Sequence, residues 1–587
     1  MISPDLRKRV TDWIENDPAV DTQRELRALL DDGGDAATRE LEDRFAGVLE
    51  FGTAGLRGVL GGGPNRMNRA VVLTTTHGLA THRAAAIPDA KKRGVVIGYD
   101  GRRLSRELAE DTAGVLTAHG FVAHLFPTLG PTPLTAFAVQ ALGAAAGVMV
   151  TASHNPPEYN GYKVYWSNAA QIIPPIDGDI ARAIAKAPPA KDVPRDSLDE
   201  GRKKNLLRDV APAIERSYLD AIARLRPVAA AAPAPKRDLV VVYTPMHGVG
   251  NRLTRECLKE AGFTNVTSVP EQAEPDGAFP TVAFPNPEEK GAMDLSFALA
   301  RKLKADLVLA NDPDADRLAV AVPDAGSATG YRQLTGNEVG VLLGHWLLVR
   351  EDAPQRVTIA SIVSSPMLGV IARALGVRYE ETLTGFKWIA NRAMELQPEG
   401  FRFVFGYEEA LGYTVGEVVR DKDGVSAALV FAELCAKLVA EGRTVPQELE
   451  AIHRRFGLFV SSQVNVTRKG AAGAQEIAAL MDRLRTVSAA SIGPMKVSAI
   501  SDFSARKKRD ASGALTDLAL PKTNMISFDL EGGSRIIARP SGTEPKVKFY
   551  FDVREEVRAG EPFGEAEARA QKTMKSLSDA FVALAGV

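Results

Sequence analysis

Residues 147–166, GVMVTASHNPPEYNGYKVYW, carry the feature around which we expect the chain to fold. The apolar run at 146–150 predicts a buried strand, which ends in a polar turn at 151–156. Two prolines, at 156 and 157, cannot continue a sheet ladder. Ser153 therefore lies just beyond the carboxyl end of a strand, where α/β sheets bind ligands. We predict that Ser153 is a nucleophile; an ordinary turn serine bonded to nearby backbone is the alternative.

The segments before this turn alternate between strand and helix patterns. Residues 94–99 and 121–126 read as strands, with a helix between them and another helix after Pro133. This β-α-β-α-β order predicts a mainly parallel sheet with right-handed crossovers. Further upstream, residues 3–48 predict two helices, interrupted by a Gly-Gly pair, that form a packing extension.

Three aspartates alternate along a segment that follows a second apolar strand. Asp312, Asp314 and Asp316 come directly after the run LVLA at 307–310. Alternate residues of an extended segment project to one side, so three carboxylates converge and need a hard cation such as Mg²⁺. A calcium EF-hand begins the same way but requires glycine at its sixth position and glutamate at its twelfth, where this chain has arginine and proline. The pattern predicts a Mg²⁺ site, and a solvated acidic turn is the alternative.

Two polar loops in the second half of the chain suit sugar and phosphate. Glu408 and Glu409 follow a strand pattern, and acidic side chains so placed accept hydrogen bonds from sugar hydroxyls. Residues 539–546, RPSGTEPK, combine an arginine, two hydroxyls and backbone amides around a glycine, which is a nest suited to a phosphate dianion. A charged turn and an ordinary turn are the respective alternatives.

A glycine-rich loop at 244–250, TPMHGVG, is a weak match to a dinucleotide fingerprint. Leu253 stands where the third glycine should be. We therefore do not predict that this loop binds a cofactor, and we predict a structural role for His247.

The composition is that of a soluble globular chain and limits the classes of partner. The 587 residues include 72 basic and 73 acidic side chains, so no global field attracts nucleic acid or an anionic membrane. The two cysteines, Cys257 and Cys435, show neither a metal-binding spacing nor a disulfide framework. The sequence has no secretory signal pattern and no long apolar run. We expect a cytoplasmic protein without nucleic-acid or membrane partners.

These motifs together resemble the α-D-phosphohexomutase superfamily, the phosphoglucomutases and phosphomannomutases. The turn at 151–156, TASHNP, resembles its phosphoserine loop, and residues 312–317, DPDADR, resemble its metal loop. The segments that look most like one branch, that of phosphopentomutases, glucose-1,6-bisphosphate synthases and bacterial phosphoglucomutases, are 50–69, 147–166, 284–295 and 421–428.

The resemblance implies an α/β fold with four domains around a central cleft. Three similar α/β domains with mixed, mainly parallel sheets would precede a C-terminal α+β domain. The expected boundaries are 1–208 for a helical extension with the phosphoserine domain, 209–326 for the metal-binding domain, 327–455 for the sugar-binding domain and 456–587 for the phosphate-binding domain. Segments 187–200 and 227–236 are expected to be linkers or surface loops.

The resemblance also implies roles for individual residues. Ser153 would be phosphorylated and would bind Mg²⁺ together with Asp312, Asp314 and Asp316. The other catalytic candidates are Lys163, Arg57 and His154, and a structural turn histidine is the alternative for the last. The implied substrate-binding residues are Arg317, Thr384, Gly385, Lys387, Glu408, Glu409, Lys422, Arg539, Ser541, Gly542 and Thr543. Ala410 stands where many relatives have serine, which leaves the preferred sugar open.

The activity implied by the resemblance is that of a phosphosugar mutase. It would interconvert hexose 1-phosphate and hexose 6-phosphate, with glucose ahead of mannose, through a phosphoserine and a 1,6-bisphosphate. Mg²⁺ and a glucose 1,6-bisphosphate primer are the expected cofactors, a small phosphosugar is the expected partner, and the protein is expected to be a monomer or weak homodimer. The alternatives are a phosphopentomutase, a glucose-1,6-bisphosphate synthase and a non-catalytic phosphosugar-binding protein. Binding alone needs no nucleophile, so Ser153 and the three aspartates argue against the last.

Overall fold

The computed structural model divides into two compact units. The first comprises Met1–Leu334, Gly385–Met394 and Leu411–Lys437, and the second comprises Thr335–Thr384, Glu395–Ala410 and Leu438–Val587. The structure describes residues 2–50, 55–226, 237–350, 353–468, 470–488, 490–541 and 546–587. The predicted linker at 227–236 lies outside the described residues.

The first unit begins with three helices, where the sequence predicted two. These are α1 (Pro4–Asn16), α2 (Val20–Asp32) and α3 (Asp35–Arg44). The additional break lies at Asp17, whose carboxylate accepts hydrogen bonds from the Ala19 amide at 2.9 Å and the Thr22 hydroxyl at 2.6 Å. Such a side chain competes with the helix for backbone donors. Gly33 ends α2 in a left-handed conformation, with φ +58°.

A six-stranded mixed sheet follows the helical extension. Its strands are β1 (Leu56–Val59), β2 (Val95–Tyr99), β3 (Ala123–Leu125), β4 (Ala146–Val150), β5 (Tyr159–Tyr165) and β6 (Leu207–Asp209), in the order β1-β5-β4-β2-β3-β6. Strands β2, β3 and β4 are parallel, as predicted, and β6, which was not predicted from the sequence, is added parallel to β3. Strand β5 is antiparallel to both β4 and β1, because the turn after β4 is too short for a crossover.

Helices cover this sheet and bury its apolar strands. They are α4 (Arg69–Ala86), α5 (Ala90–Arg93), α6 (Ser105–Ala118), α7 (Thr132–Ala141), α8 (Ile176–Ile184) and α9 (Leu198–Lys203). Val95, Ile97 and Val148 of the sheet are fully buried against Leu79 and Leu108 of the helices. The sheet therefore provides a rigid base for the loops at its carboxyl edge.

A second, five-stranded sheet completes the main body of the first unit. Its elements are α10 (Pro212–Ala223), β7 (Val241–Thr244), α11 (Asn251–Glu260), β8 (Val266–Ser268), α12 (Asp294–Leu303), β9 (Leu307–Ala310), β10 (Ala319–Pro323) and β11 (Tyr331–Gln333), with the strand order β11-β10-β9-β7-β8. Strands β7, β8 and β9 are parallel, and β10 and β11 are added antiparallel. The aspartate segment follows β9 directly, as predicted.

The helices and strands between Gly336 and Phe456 are divided between the two units. They are α13 (Gly336–Arg350), β12 (Arg356–Ser361), α14 (Met367–Ala374), β13 (Arg378–Thr382), α15 (Phe386–Leu396), β14 (Arg402–Glu408), β15 (Gly412–Val415), α16 (Gly424–Ala440) and α17 (Val445–Phe456). In the second unit, β13, β12 and β14 form parallel ladders in that order.

The second unit ends in an antiparallel α+β domain. Its elements are β16 (Leu458–Thr467), α18 (Gly470–Thr486), β17 (Ser491–Ile492), β18 (Met495–Asp502), β19 (Lys507–Asp510), β20 (Leu515–Asp517), β21 (Ile526–Leu530), β22 (Arg535–Pro540), β23 (Lys546–Glu555) and α19 (Phe563–Leu584). Phe528, Phe549 and Phe551 of the sheet pack edge-on against Phe581 of α19. The α+β architecture of this region agrees with the prediction. Across the described ranges, no helix has the length and apolar character needed to cross a bilayer.

Candidate active site

Ser153 occupies a strained and buried position just after β4. Its φ is +51°, a left-handed conformation that costs a non-glycine residue about 1–3 kcal/mol. The side chain is 3% exposed. Its hydroxyl donates to Asp312 Oδ2 at 2.8 Å and lies 3.3 Å from His154 Nδ1. The fold thus brings the predicted nucleophile into direct contact with an aspartate that lies 159 residues away in sequence.

The three aspartates converge as the alternation predicts. Asp312, Asp314 and Asp316 are fully buried, and a carboxylate oxygen of each lies within 4.8 Å of the others. Within the described part of the chain, Oδ1 of Asp314 and Oδ1 of Asp316 are buried without a hydrogen-bond partner. A buried carboxylate oxygen without a donor is costly, and hard divalent cations take oxygen ligands of this kind. The cluster therefore fits a Mg²⁺-type ion.

Two lysines partly neutralise the aspartates. Lys163 Nζ donates to Asp314 Oδ2 at 2.8 Å and to Asp316 Oδ2 at 2.9 Å. Lys422 Nζ lies 3.1 Å from Asp316 Oδ2. Burial by itself lowers the pKa of Lys163, but the negative charges of Asp314 and Asp316 have the larger combined effect. The pKa of Lys163 is therefore raised above its ordinary value. For Asp312, burial together with Asp314 and Asp316 raises the pKa well above its usual range. The folded protein therefore disfavours the negative charge of Asp312 more than that of Asp314 or Asp316.

His154 lies beside the nucleophile as a neutral ring. Burial, followed by the charges of Arg317 and Arg57, lowers the pKa of His154 well below its ordinary value. Arg57 Nη1 donates to Asn155 Oδ1 at 2.9 Å, which ties the arginine to the serine turn. The Arg317 backbone amide donates to Asp312 Oδ1 at 3.0 Å. These contacts bring all four catalytic candidates and Arg317 into one cluster.

Lys422 is held in this cluster by a buried network within the first unit. Asp421 accepts hydrogen bonds from Tyr165 Oη at 2.8 Å and Gln171 Nε2 at 2.7 Å, and its other oxygen accepts from the Lys422 amide at 2.8 Å. Two further predicted substrate residues, Gly385 and Lys387, also belong to the first unit. Burial lowers the pKa of Lys387, and Asp177 opposes that shift.

The remaining predicted substrate residues belong to the second unit. They are Thr384, Glu408, Glu409, Arg539 and Ser541, whereas Gly542 and Thr543 lie outside the described residues. Glu409 Oε2 accepts from the hydroxyls of Ser361 and Ser364, both at 3.3 Å. Burial and then Glu409 raise the pKa of Tyr550, while Arg539 lowers it. An acidic residue and the predicted phosphate arginine therefore both act electrostatically on Tyr550.

Sequence reasoning missed two buried residues at the carboxyl edge of the first sheet. Thr132 Oγ1 donates to Asp314 Oδ2 at 2.6 Å, and its backbone amide donates to the Asp314 carbonyl at 2.9 Å. Arg102 Nη2 donates to the Ser153 carbonyl at 2.7 Å. Both residues follow strands parallel to β4, and that position was the signal that could have identified them.

The TPMHGVG loop supports the aspartate segment. A Cβ on Gly248 would lie 2.3 Å from Pro313 Cα, closer than real Cβ atoms come. The Val249 amide donates to the Pro313 carbonyl at 2.8 Å, and His247 Nε2 lies 2.8 Å from Thr281 Oγ1. The glycine pattern is thus explained by close backbone packing against the aspartate segment.

We expect Gly248→Ala to displace the aspartate segment. The new methyl group would collide with backbone atoms, so the variant should lose about 1–3 kcal/mol of stability and bind Mn²⁺ more weakly. Thermal unfolding and Mn²⁺ calorimetry measure both effects. Gly564→Ala is the matched control, because its Cβ would meet no atom within 4 Å. A Gly248→Ala protein that matches this control in both measurements would contradict the packing account.

Four domain families match the chain in order. They are described as phosphoglucomutase/phosphomannomutase alpha/beta/alpha domains I, II and III and the C-terminal domain, and they match residues 48–191, 216–326, 335–456 and 464–569.

Curated relatives with different names match over most of their length. A Haemophilus influenzae protein named "Probable phosphomannomutase" is 42% identical, covering 83% of this chain and 93% of that protein. Human phosphopentomutase is 37% identical, covering 93% and 91%. Human glucose 1,6-bisphosphate synthase is 35% identical, covering 99% and 94%.

Solved structures share the fold at low sequence identity. A phosphoglucomutase/phosphomannomutase family protein from Burkholderia thailandensis aligns with a TM-score of 0.64 at 19% identity, covering 90% of this chain and 96% of that one. A phosphoglucomutase from Paramecium, in an open form, also gives 0.64, at 18% identity, covering 92% and 96%.

Proposed function

Since the chain belongs to the phosphoglucomutase/phosphomannomutase family, whose members are phosphate-transferring isomerases, we propose that it interconverts hexose 1-phosphate and hexose 6-phosphate. Glucose phosphates are the proposed substrates, and mannose phosphates come next. The observation that carries the proposal is the 2.8 Å contact between Ser153 Oγ and Asp312 Oδ2, because it joins a nucleophile to a cation site.

In the proposed reaction, Ser153 carries the phosphoryl group that is transferred. A sugar hydroxyl attacks the phosphorus of phospho-Ser153 and gives up its proton, the bond from phosphorus to Ser153 Oγ breaks, and Oγ takes up a proton. The product is a hexose 1,6-bisphosphate. It then returns its other phosphoryl group to Ser153 by the reverse exchange. Glucose 1,6-bisphosphate would serve as the primer that first loads the serine.

The residues around Ser153 suit this transfer. Asp312, Asp314 and Asp316 would hold Mg²⁺ together with an oxygen of the phosphoserine. When bound, the ion neutralises the charge of the transferring phosphoryl group, which is where most of the catalytic effect of such enzymes arises. Lys163 is the proposed acid/base because its ammonium contacts Asp314 and Asp316, which belong to the same carboxylate cluster as Asp312, the partner of Ser153. Arg57 supplies positive charge, and neutral His154 orients the serine.

The second unit would bind the sugar and its stationary phosphate. Glu408 and Glu409 are the proposed hydroxyl acceptors, and Lys422 is a further proposed sugar contact. Arg539 and the loop that follows it would bind the phosphate that is not transferred. In support, the hydroxyls of Ser361 and Ser364 donate to Glu409 Oε2, both at 3.3 Å, and so hold one of these carboxylates in place.

We expect Arg539→Ala to raise KM by roughly 10–100-fold and to lower kcat much less. A hydrogen bond to a charged group contributes about 1.5–3 kcal/mol, and this one would be made equally in the ground and transition states. Steady-state kinetics separate the two constants. Arg558→Ala, at an exposed loop position, is the control. An unchanged KM would remove Arg539 from the phosphate site.

The proposed substrate is tested by a coupled assay with glucose 1-phosphate, mannose 1-phosphate and ribose 1-phosphate. Each is supplied with Mg²⁺ and a bisphosphate primer, and the three values of kcat/KM are compared. We expect glucose 1-phosphate to give the highest value. A second candidate, a phosphopentomutase, is supported by the 37% identity to the human enzyme of that name. Preference for ribose 1-phosphate would establish it in place of the hexose mutase.

A further inference from the structure

One arginine binds the backbone carbonyls of the turn that carries Ser153. Arg102 Nη2 donates to the carbonyls of Ser153, at 2.7 Å, and Asn155. Its Nη1 donates to the carbonyls of Pro156, at 2.8 Å, and Tyr159, at 3.2 Å. Four carbonyls of the short connection between β4 and β5 therefore share a single guanidinium group.

The local sequence explains why this connection needs an external donor. Pro156 and Pro157 have no backbone N–H, so the turn is short of donors for its own carbonyls. A buried carbonyl left without a donor costs about 1–3 kcal/mol. Arginine presents five N–H groups in a rigid plane, whereas a lysine ammonium has three and no fixed fork.

The Arg102 side chain is itself held in place by its neighbours. It is 4% exposed, and its Nε lies 3.5 Å from Asp100 Oδ2. The Asp100 carboxylate also accepts from Ser105 Oγ at 2.6 Å. The Phe279 ring covers the guanidinium at 4.9 Å, and a Cβ on Gly277 would lie 3.0 Å from Arg102 Cα. These contacts fix the position of the guanidinium group, which in turn holds the backbone of the serine turn.

We propose that Arg102 is a positioning residue for phosphoryl transfer, which keeps Ser153 in the left-handed conformation that directs its Oγ to Asp312. The proposal rests on the proposed function, since it takes Ser153 as the nucleophile. Arg102 binds the carbonyl of Ser153, and Asp312 binds the hydroxyl of the same residue. Release of the carbonyl frees the backbone to leave the strained φ of +51°, and the hydroxyl moves with it.

The expected effect is on kcat rather than on substrate or metal affinity. A displacement of about 1 Å at a reacting atom lowers the rate by roughly 100-fold. The four carbonyls bound by Arg102 are not among the proposed substrate contacts. Asp314 and Asp316 have their own partners in Lys163 and Thr132, and Asp312 accepts from the Arg317 amide. KM should therefore stay near the wild-type value, and so should the Mn²⁺ affinity of the unphosphorylated protein, in which the three aspartates are the proposed ligands.

The experiment compares Arg102→Met and Arg102→Lys with Arg103→Met. Arg103 is the adjacent, exposed residue and serves as the matched control. We measure kcat, KM, Mn²⁺ affinity by calorimetry and the midpoint of thermal unfolding for each purified protein. We expect kcat to fall by roughly 100-fold in Arg102→Met, to fall less in Arg102→Lys and to stay unchanged in Arg103→Met. If Arg102→Met does not fold, Arg102→Lys, which keeps the charge beside Asp100, decides the question.

Two results would overturn the positioning role. One is a kcat for the folded Arg102 variants equal to that of Arg103→Met; the other is a kcat loss accompanied by an equal loss of Mn²⁺ affinity, which would indicate a general structural role. Ser153→Ala is assayed in parallel. If Ser153→Ala retains turnover, the proposed function is wrong. If Ser153→Ala is inactive and the Arg102 variants match the control, only the role of Arg102 is wrong.

Discussion

Replacing Ser153 with alanine is expected to lower kcat by at least about 10⁴-fold, the scale seen when a covalent nucleophile is removed from an enzyme. The alanine keeps the backbone but has no oxygen to carry the phosphoryl group. The protein should stay folded but lose about 1–3 kcal/mol of stability, because the buried Asp312 Oδ2 loses the hydroxyl that donates to it. The coupled mutase assay and thermal unfolding test the two halves of this expectation.

A second serine variant controls for the substitution itself. Ser498→Ala likewise removes a serine hydroxyl, but an exposed one that donates to the Asp529 carbonyl, and it should leave kcat unchanged. Substantial mutase turnover by Ser153→Ala, in a preparation free of contaminating wild-type enzyme, would show that another group accepts the phosphoryl group.

Asp312→Asn is expected to abolish turnover and at the same time to stabilise the metal-free protein. Burial and the charges of Asp314 and Asp316 raise the pKa of Asp312, so the folded state holds this carboxylate at a cost. A neutral amide of the same shape removes that cost, so the midpoint of thermal unfolding should rise in the metal-free protein. Its oxygen can still accept from the Arg317 amide. Thermal unfolding in a chelator and Mn²⁺ calorimetry measure the stability gain and the loss of metal binding.

Asp294→Asn is the control for this second prediction. Asp294 is exposed in the first turn of α12, so its replacement should change neither metal binding nor activity. An Asp312→Asn protein that binds Mn²⁺ as tightly as the wild type would show that Asp312 is not a ligand. A protein that loses metal binding without becoming more stable would contradict the account of its buried charge.

The sequence predicted the chemical groups of the site better than their supporting contacts. Ser153 and the aspartates were recognisable because each follows an apolar strand, and the carboxyl ends of parallel strands share one edge of a sheet. Arg102 and Thr132 also follow strands of this sheet, but they belong to no motif that marks them as part of a site, and their partners lie 51 and 182 residues away. Neither position has a local pattern that reveals a partner so distant. The role of Lys163 at the aspartates likewise depends on contact between two separate sheets.

The predicted fold differed from the structure where a short loop or one side chain overrides a periodic pattern. The β-α-β-α-β alternation indicated the parallel strands, but strand β5 follows a turn too short for a crossover and runs antiparallel. In the N-terminal extension, helical periodicity continued across Asp17. That carboxylate accepts hydrogen bonds from the Ala19 amide and the Thr22 hydroxyl, which end the first helix there and give three helices instead of two.

Transfer of label to the protein tests the central claim most directly. The wild-type enzyme is incubated with radiolabelled glucose 1,6-bisphosphate and Mg²⁺, quenched, digested and mapped by mass spectrometry, with and without an excess of unlabelled glucose 1-phosphate. We predict that the label appears on the peptide that contains Ser153, requires the divalent cation and is removed by the added sugar phosphate. Label on a different residue, or an unlabelled protein that still turns over its substrate, would contradict the phosphoserine mechanism.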